Sequence, residues 1–123
     1  MIKLVYCVRR RGDVSREAFR SYWLEEHGPR VRGFAKVLGA RRYVQSHTLE
    51  GPLTDLLTES RGMKPPYDGI TELWWDGTKE FEAALGSPEG RAASEDLLED
   101  EAKFIDLGES RIFLTEEHTI FDL

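Results

Sequence analysis

The sequence predicts an α+β domain of ferredoxin-like type, in which two helices cover one face of a four-stranded antiparallel sheet. Four segments alternate apolar and polar residues with the period of a strand, and two longer ones repeat apolar residues at helical spacing. These segments follow one another in the order β-α-β-β-α-β, the split βαβ arrangement. The chain has 123 residues, 40% of them hydrophobic, so we expect a single domain over residues 1–123.

The first two elements are a strand and an interrupted helix. Residues 2–9 alternate as in a strand, and Ser15 is a suitable N-cap for a helix over about residues 16–27. Gly28-Pro29 interrupts that helix, yet apolar residues resume the helical period beyond it. We therefore expect a kinked or two-piece helix.

The remaining elements complete the predicted sheet. They are a strand over residues 40–48, an excursion over 49–67 with one or two helical turns, a strand over 68–75, a two-piece helix over 78–105 and a final strand over 111–121. The excursion is long for a connection inside a compact domain, and such connections are often functional.

Composition excludes several classes of partner. The net charge of −6, from 23 acidic and 17 basic residues, argues against nucleic-acid binding through phosphate contacts. No apolar run reaches the roughly 18 residues that would span a bilayer, and the opening segment lacks the pattern of a secretory signal. The single cysteine, Cys7, has no partner for an internal disulfide. We expect a cytoplasmic protein that binds neither nucleic acid nor membranes.

Both faces of the predicted sheet are apolar, which predicts a homodimer. Two helices cover only one face, so the second face of a monomer should be polar. Instead, one face is predicted to hold Ile2, Leu4, Ile70, Trp74, Ile112 and Leu114, and the other Val5, Cys7, Val44, Leu73, Trp75, Phe113 and Phe121. Because large exposed apolar patches usually mark interfaces, we expect a second copy to cover the second face, with Trp75 and Phe113 as anchors.

Four stretches of the chain resemble the EthD-domain family of the dimeric α+β barrel superfamily. They are residues 2–6 (IKLVY), 19–29 (FRSYWLEEHGP), 67–74 (YDGITELW) and 111–118 (RIFLTEEH), and they follow one another from one end of the chain to the other. The resemblance implies a two-fold dimer whose two sheets form a barrel, with a pocket between sheet and helices in each subunit. Relatives with this architecture include cofactor-free polyketide cyclases, dehydratases, lactone isomerases and monooxygenases, so the resemblance implies no particular reaction.

His27 is the leading candidate for catalysis. It lies four residues after Trp23 and eight after Phe19, on the buried stripe of the first helix. Histidine has an unperturbed pKa of about 6.5, so an imidazole that faces a pocket can act as general acid or base at neutral pH. The alternative is a helix-end histidine bonded to the last carbonyl groups of the helix.

Further polar side chains are predicted on the second and third strands. Asp68, Glu72 and Trp74 share one face of the third strand, while Tyr43 and His47 share one face of the second. If both faces look toward the helices, these residues form a polar floor for the pocket, with Glu72 and His47 as catalytic partners. If the faces look outward, Glu72 and His47 are interface groups instead.

The leading hypothesis is a cofactor-independent acid/base enzyme that acts on a small aromatic or carbonyl-containing metabolite, as a cyclase, dehydratase or isomerase. The alternative is a non-catalytic small-molecule-binding or accessory protein. No metal site is predicted, since the three histidines lack metal-ligand spacing, and no nucleotide-binding loop is present. The excursion is expected to close over the pocket and to place Tyr67 near His27. The predicted substrate contacts are Tyr6, Tyr22, Trp23, Tyr43, Tyr67, Asp68, Trp74 and Phe104.

Overall fold

The computed structural model describes residues 1–123 and contains one four-stranded antiparallel sheet. The strands are β1 (Ile2–Val8), β2 (Arg42–His47), β3 (Gly69–Trp75) and β4 (Arg111–Glu116). Their order across the sheet is β2-β3-β1-β4, and all neighbouring pairs are antiparallel. The predicted ferredoxin-like fold is confirmed. The last strand ends at Glu116, short of the predicted end at residue 121.

The connections between the strands contain six helices. They are α1 (Arg16–Tyr22), α2 (Gly28–Gly33), α3 (Ala35–Leu38), α4 (Pro52–Ser60), α5 (Thr78–Gly86) and α6 (Pro88–Glu101), with a 3₁₀ turn at Leu107–Glu109. Ser15 caps α1 as predicted, because its hydroxyl accepts a hydrogen bond from the Ala18 N–H. None of the helices combines the length and the apolar character needed to cross a bilayer.

The predicted interruption of the first helix is confirmed, and it takes the form of a π-helical turn at Trp23–His27 between α1 and α2. The N–H of Gly28 donates to the Trp23 carbonyl, five residues back. Pro29 follows and has no N–H to continue the α-helical series. The extra residue in the turn rotates His27 relative to the regular helix, and such turns occur often at functional sites.

The register of β3 differs from the one predicted from its alternation. Ile2 pairs with Trp75, and directly paired residues of an antiparallel sheet point to the same face. Trp75 therefore lies beneath the helices, 3% exposed, and its prediction as a dimer anchor is wrong. Glu72 and Trp74 lie on the opposite, outer face. Each of the two alternating sets of residues in β3 contains two large apolar side chains and one polar one. Alternation alone could therefore not decide which set faces inward.

The buried core lies where the π-helical turn packs on the sheet. It consists of Val8, Phe19, Trp23, Phe104 and Ile105, each at most 3% exposed. Gly69, at the start of β3, lies directly under the Trp23 ring, where a Cβ atom would come within 2.6 Å of Trp23 Cη2. The core thus holds the π-helical turn firmly against the sheet, and this fixes the position of His27 at the end of the turn.

Candidate active site

A cavity of about 330 Å³ lies between the sheet and the helices. Of its 19 lining residues, 15 are hydrophobic. The four others are His27, Thr71, Ser94 and Glu101. A concave, mostly apolar space with a few polar groups is the usual form of a small-molecule site.

His27 is held in the wall of this cavity by a buried carboxylate. Its Nδ1 lies 2.7 Å from Asp100 Oδ2 on α6, and the two residues are only 5% and 2% exposed. Burial lowers the pKa of His27 below its ordinary value, although the hydrogen bond to Asp100 acts in the opposite direction. The imidazole is therefore neutral at pH 7. Its Nδ1 keeps the proton and donates a hydrogen bond to Asp100.

The second ring nitrogen of His27 is free to act on a ligand. Every fully buried side-chain nitrogen or oxygen in the protein has a hydrogen-bond partner. Because Nε2 makes no hydrogen bond to the protein, it is accessible, and His27 lines the cavity. A neutral imidazole with an oriented ring and an accessible lone pair is suited to act as a general base.

Asp100 also accepts a hydrogen bond from the Tyr22 hydroxyl, and this bond raises the pKa of Tyr22 to about 12. Burial acts to raise the pKa of Asp100, but the hydrogen bonds from Tyr22 and His27 outweigh it, so the pKa lies below the ordinary value. Asp100 is therefore ionised at neutral pH. It holds both the tautomer and the orientation of the imidazole.

Glu101, the next residue on α6, lines the cavity, and its pKa is shifted in the opposite direction from that of Asp100. Burial raises the pKa of Glu101 to about 7, although the neighbouring Tyr6 hydroxyl acts to lower it. Burial and the nearby Glu101 together raise the pKa of Tyr6, so this phenol keeps its proton. The cavity thus combines a neutral imidazole with a carboxyl group that exchanges its proton near pH 7.

A chain of polar side chains runs along the inner face of β2. Gln45 Nε2 donates to the Tyr43 hydroxyl at 2.7 Å and to the Trp23 carbonyl at 2.7 Å, and Gln45 Oε1 lies 2.8 Å from His47 Nε2. Burial raises the pKa of Tyr43 to about 12. The protonated Tyr43 hydroxyl lines the cavity and is a hydrogen-bond donor there.

The structure brings four of the predicted site residues together around the cavity: Tyr6, Trp23, His27 and Tyr43. Three others lie on the same side of the sheet but outside the cavity lining. His47 stacks on the Trp23 ring at 4.4 Å, Tyr22 bonds Asp100, and Phe104 packs in the core 5.2 Å from the His27 ring. These three support the site from behind.

The other four predicted site residues are not brought to the cavity. Glu72 lies on the outer face, 2.8 Å from Lys3, and Trp74 lies beside it under Arg42. This placement follows from the register of β3 and corrects the prediction that they form a pocket floor. Asp68 accepts a hydrogen bond from the Arg10 N–H, and the Tyr67 ring packs against Arg9.

The predicted lid is also absent from the cavity. No residue of 49–67 lines it, and the side chains of Leu53, Leu56 and Leu57 on α4 are exposed. The expectation that the excursion places Tyr67 near His27 is therefore wrong. The segment contains a helix as predicted, but no residue of that helix lines the cavity.

Sequence reasoning missed Asp100 and Glu101. They lie three and four residues after Leu97, which places them on the buried side of α6. The available signal was the helical spacing of these two carboxylates from the apolar Leu97, which predicts that they face the core. The acidic surroundings concealed it, because most carboxylates in that stretch face solvent.

The EthD domain family matches residues 11–108, most of the chain. The chain belongs to the EthD-domain family. None of the curated proteins matches it in sequence.

Solved structures similar to this EthD-domain protein share its fold. An ethyl tert-butyl ether d (EthD) family protein from Bacillus halodurans is 22% identical with a TM-score of 0.62, and the alignment covers 96% of this chain and 99% of that chain. A dimeric protein of unknown function with a ferredoxin-like fold from Bacteroides fragilis is 12% identical with a TM-score of 0.59, covering 94% and 95%. SnoaB, a cofactor-independent oxygenase from Streptomyces nogalater, is 16% identical with a TM-score of 0.53, covering 98% and 97%.

Proposed function

We propose that this EthD-domain protein is a cofactor-independent acid/base enzyme acting on a small, largely apolar molecule that carries a carbonyl group. One observation carries the proposal: the Asp100-oriented imidazole of His27 and the carboxyl group of Glu101 face the same apolar cavity. The likeness to a cofactor-independent oxygenase is consistent with this class of chemistry.

The two groups divide the work of proton transfer. His27 Nε2 takes a proton from the carbon next to the carbonyl group, and the electron pair moves onto the carbonyl oxygen. Protonated Glu101 then delivers its proton to a second carbon, which completes an isomerisation, or to a departing hydroxyl group, which completes a dehydration. Transfer of a proton from the imidazolium to the Glu101 carboxylate restores the starting state.

The cavity favours the charged intermediate of this reaction. Negative charge develops on the carbonyl oxygen, and the phenols of Tyr6 and Tyr43 line the same cavity with their protons retained. Donors that are already in place cost little reorganisation, and their effect is strong where water is excluded. The apolar walls bind the body of the molecule and keep bulk water away from the imidazole.

The test is proton exchange, because it needs no knowledge of the natural substrate. Apolar aryl ketones and 1,3-diketones are incubated with the protein in D₂O, and loss of the protons next to the carbonyl group is followed by NMR. We expect His27→Gln to slow the exchange about 10²-fold or more. His118→Gln is the matched control, since that side chain is 78% exposed and remote from the cavity.

Asp100→Asn tests the positioning role separately. The amide keeps the shape of Asp100 but removes its charge and disturbs the His27 tautomer, so we expect a lower kcat with little change in KM. Exchange that is equally fast in wild type and His27→Gln contradicts the proposal. A wild-type protein that binds the ketones without exchange favours the non-catalytic binding alternative.

We also propose that the protein pairs through the outer face of its sheet. Phe113 and Ile70 are exposed there by 49% and 38%, with Val5 beside Phe113 and Val44 on the far side of Glu72. An apolar strip of this kind is typical of an interface. The similar protein from Bacteroides fragilis is dimeric, which supports pairing of this chain but does not identify the face.

A further inference from the structure

A second cavity of about 410 Å³ adjoins the first one, between β2 and the helices α2 and α3. The two share four lining residues: Val31, Leu38, Tyr43 and Leu73. The second cavity is therefore adjacent to the cavity that His27 lines. Tyr43 is the polar group common to both.

The second cavity differs from the first in charge. Three arginines line it, Arg32, Arg41 and Arg42, and no acidic residue does. These arginines are exposed, so the cavity reaches the solvent. The first cavity contains an acidic group, Glu101, and no arginine or lysine.

Only one of the three guanidinium groups is without a partner in the protein. Arg41 Nε lies 3.5 Å from Asp76, and the guanidinium of Arg42 packs over the Trp74 ring at 4.8 Å on the outer face. Arg32 makes neither an ion pair nor a side-chain hydrogen bond. It lines the cavity with its full donor capacity available.

The charge pattern of the sequence points to the same place. Between Glu26 and Glu50 the chain carries five basic residues and no acidic one, although the whole chain has a net charge of −6. These five are Arg30, Arg32, Lys36, Arg41 and Arg42. Three of the five line the second cavity, whereas Arg30 is paired with Asp96. Positive charge that lines a cavity raises the local concentration of anions.

We infer that the substrate is an apolar molecule bearing a carboxylate, whose body occupies the cavity beside His27 and whose carboxylate is bound by Arg32 in the second cavity. This inference rests on the proposed function and specifies its substrate class. Arg32 has the geometry to bind a carboxylate through two parallel N–H donors.

The test compares acids with their neutral amides. The probes are 1-naphthylacetate, phenylacetate and octanoate, each paired with its primary amide, and binding is measured by calorimetry at low salt. We expect each acid to bind roughly five- to tenfold more tightly than its amide, the scale of one charge-assisted contact. The preference should shrink as salt is raised, because the contact is partly exposed.

Two variants show which residue causes the preference. Arg32→Gln should bring the acids to the affinity of the amides and leave amide binding unchanged. Arg61→Gln, at the residue that follows α4, is the matched control, since Arg61 lies outside both cavities and should leave the preference intact.

The outcomes separate this inference from the proposed function. If acids and amides bind equally to the wild type, or if Arg32→Gln keeps the preference, the inference is overturned while the acid/base proposal stands. If neither series binds, the cavity is not a site for apolar carbonyl compounds and both fail. His27→Gln should keep the preference for acids, because it removes proton transfer and not anion binding.

Discussion

Two adjacent carboxylates on α6 show how far local environment controls charge. Asp100 accepts hydrogen bonds from Tyr22 and His27, so its pKa lies below the ordinary value. Glu101 points into an apolar cavity, so burial raises its pKa to about 7. One residue is thereby an anionic support for the imidazole, and its neighbour is a proton donor near neutral pH.

The raised pKa of Glu101 predicts a stability effect that needs no substrate. Between the ordinary pKa of 4.5 and about 7, the folded protein binds more protons at this site than the unfolded chain does, so the site's contribution to stability falls as pH rises. Glu101→Gln has no such titration. The melting temperature of Glu101→Gln, relative to wild type, should therefore rise between pH 5 and about 7.5. A difference that stays constant over this range would contradict the raised pKa.

The same two groups predict the pH dependence of turnover. The base requires neutral His27, whose pKa is lowered by burial, so activity should fall only below about pH 6.5. The acid requires protonated Glu101, so activity should also fall above about pH 7. The profile of kcat/KM is therefore bell-shaped. Glu101→Gln should lose the alkaline limb while retaining the acid limb, and an unchanged alkaline limb would assign it to another group.

At the level of elements, the π-helical turn Trp23–His27 and the strand β3 determine each other's position. The Trp23 ring lies against Gly69, and the Trp23 carbonyl accepts a hydrogen bond from Gln45 on β2. Close approach of a ring to strand backbone needs a residue without a side chain. This contact sets how deep the turn sits, and with it the position of His27.

Gly69→Ala should therefore be strongly destabilising. Its Cβ would lie 2.6 Å from Trp23 Cη2 and 2.7 Å from the carbonyl oxygen of Ser46, and neither backbone nor a packed indole yields easily. We expect a loss of about 2–3 kcal/mol in the free energy of unfolding, measured by urea denaturation.

Gly33→Ala is the matched control for this substitution. No atom lies within 4 Å of the Cβ that it adds, and Gly33 is helical. Alanine there should leave stability unchanged or raise it by up to about 1 kcal/mol. Equal effects of the two substitutions would contradict the packing argument.

For the whole molecule, the proposed dimer depends on the outer face of the sheet. Its apolar strip contains Phe113 and Ile70, whereas Trp75 belongs to the opposite face. A specific interface on such a face buries more than about 1,000 Å² in total. Folding and association are then linked.

The proposed dimer predicts a melting temperature that rises with protein concentration. Phe113→Glu should abolish this dependence and give aggregated or unfolded chain, because it places a charge in the interface. Ala83→Glu adds the same charge at an exposed position of α5 and should behave like the wild type. Sedimentation at micromolar concentration provides the direct measurement, and a folded wild-type monomer would refute the dimer.

The order of elements, the interruption at Gly28-Pro29 and the place of His27 on a buried stripe followed from the sequence. Each depends on local pattern: period-2 or helical spacing, a capping serine, a residue without an N–H. The same reasoning found Tyr6, Trp23 and Tyr43, which lie on strands or helices whose phase is unambiguous.

The tertiary structure alone decided which face of β3 looks inward and which acid meets the imidazole. The segment Gly69–Trp75 is apolar in both phases, so only its pairing with β1 moved Glu72 and Trp74 outward. The contact between His27 and Asp100 joins residues 73 positions apart, and no local period encodes such a distance. Burial likewise arises from packing of the whole chain, which is why Glu101 acquired its raised pKa only in the folded protein.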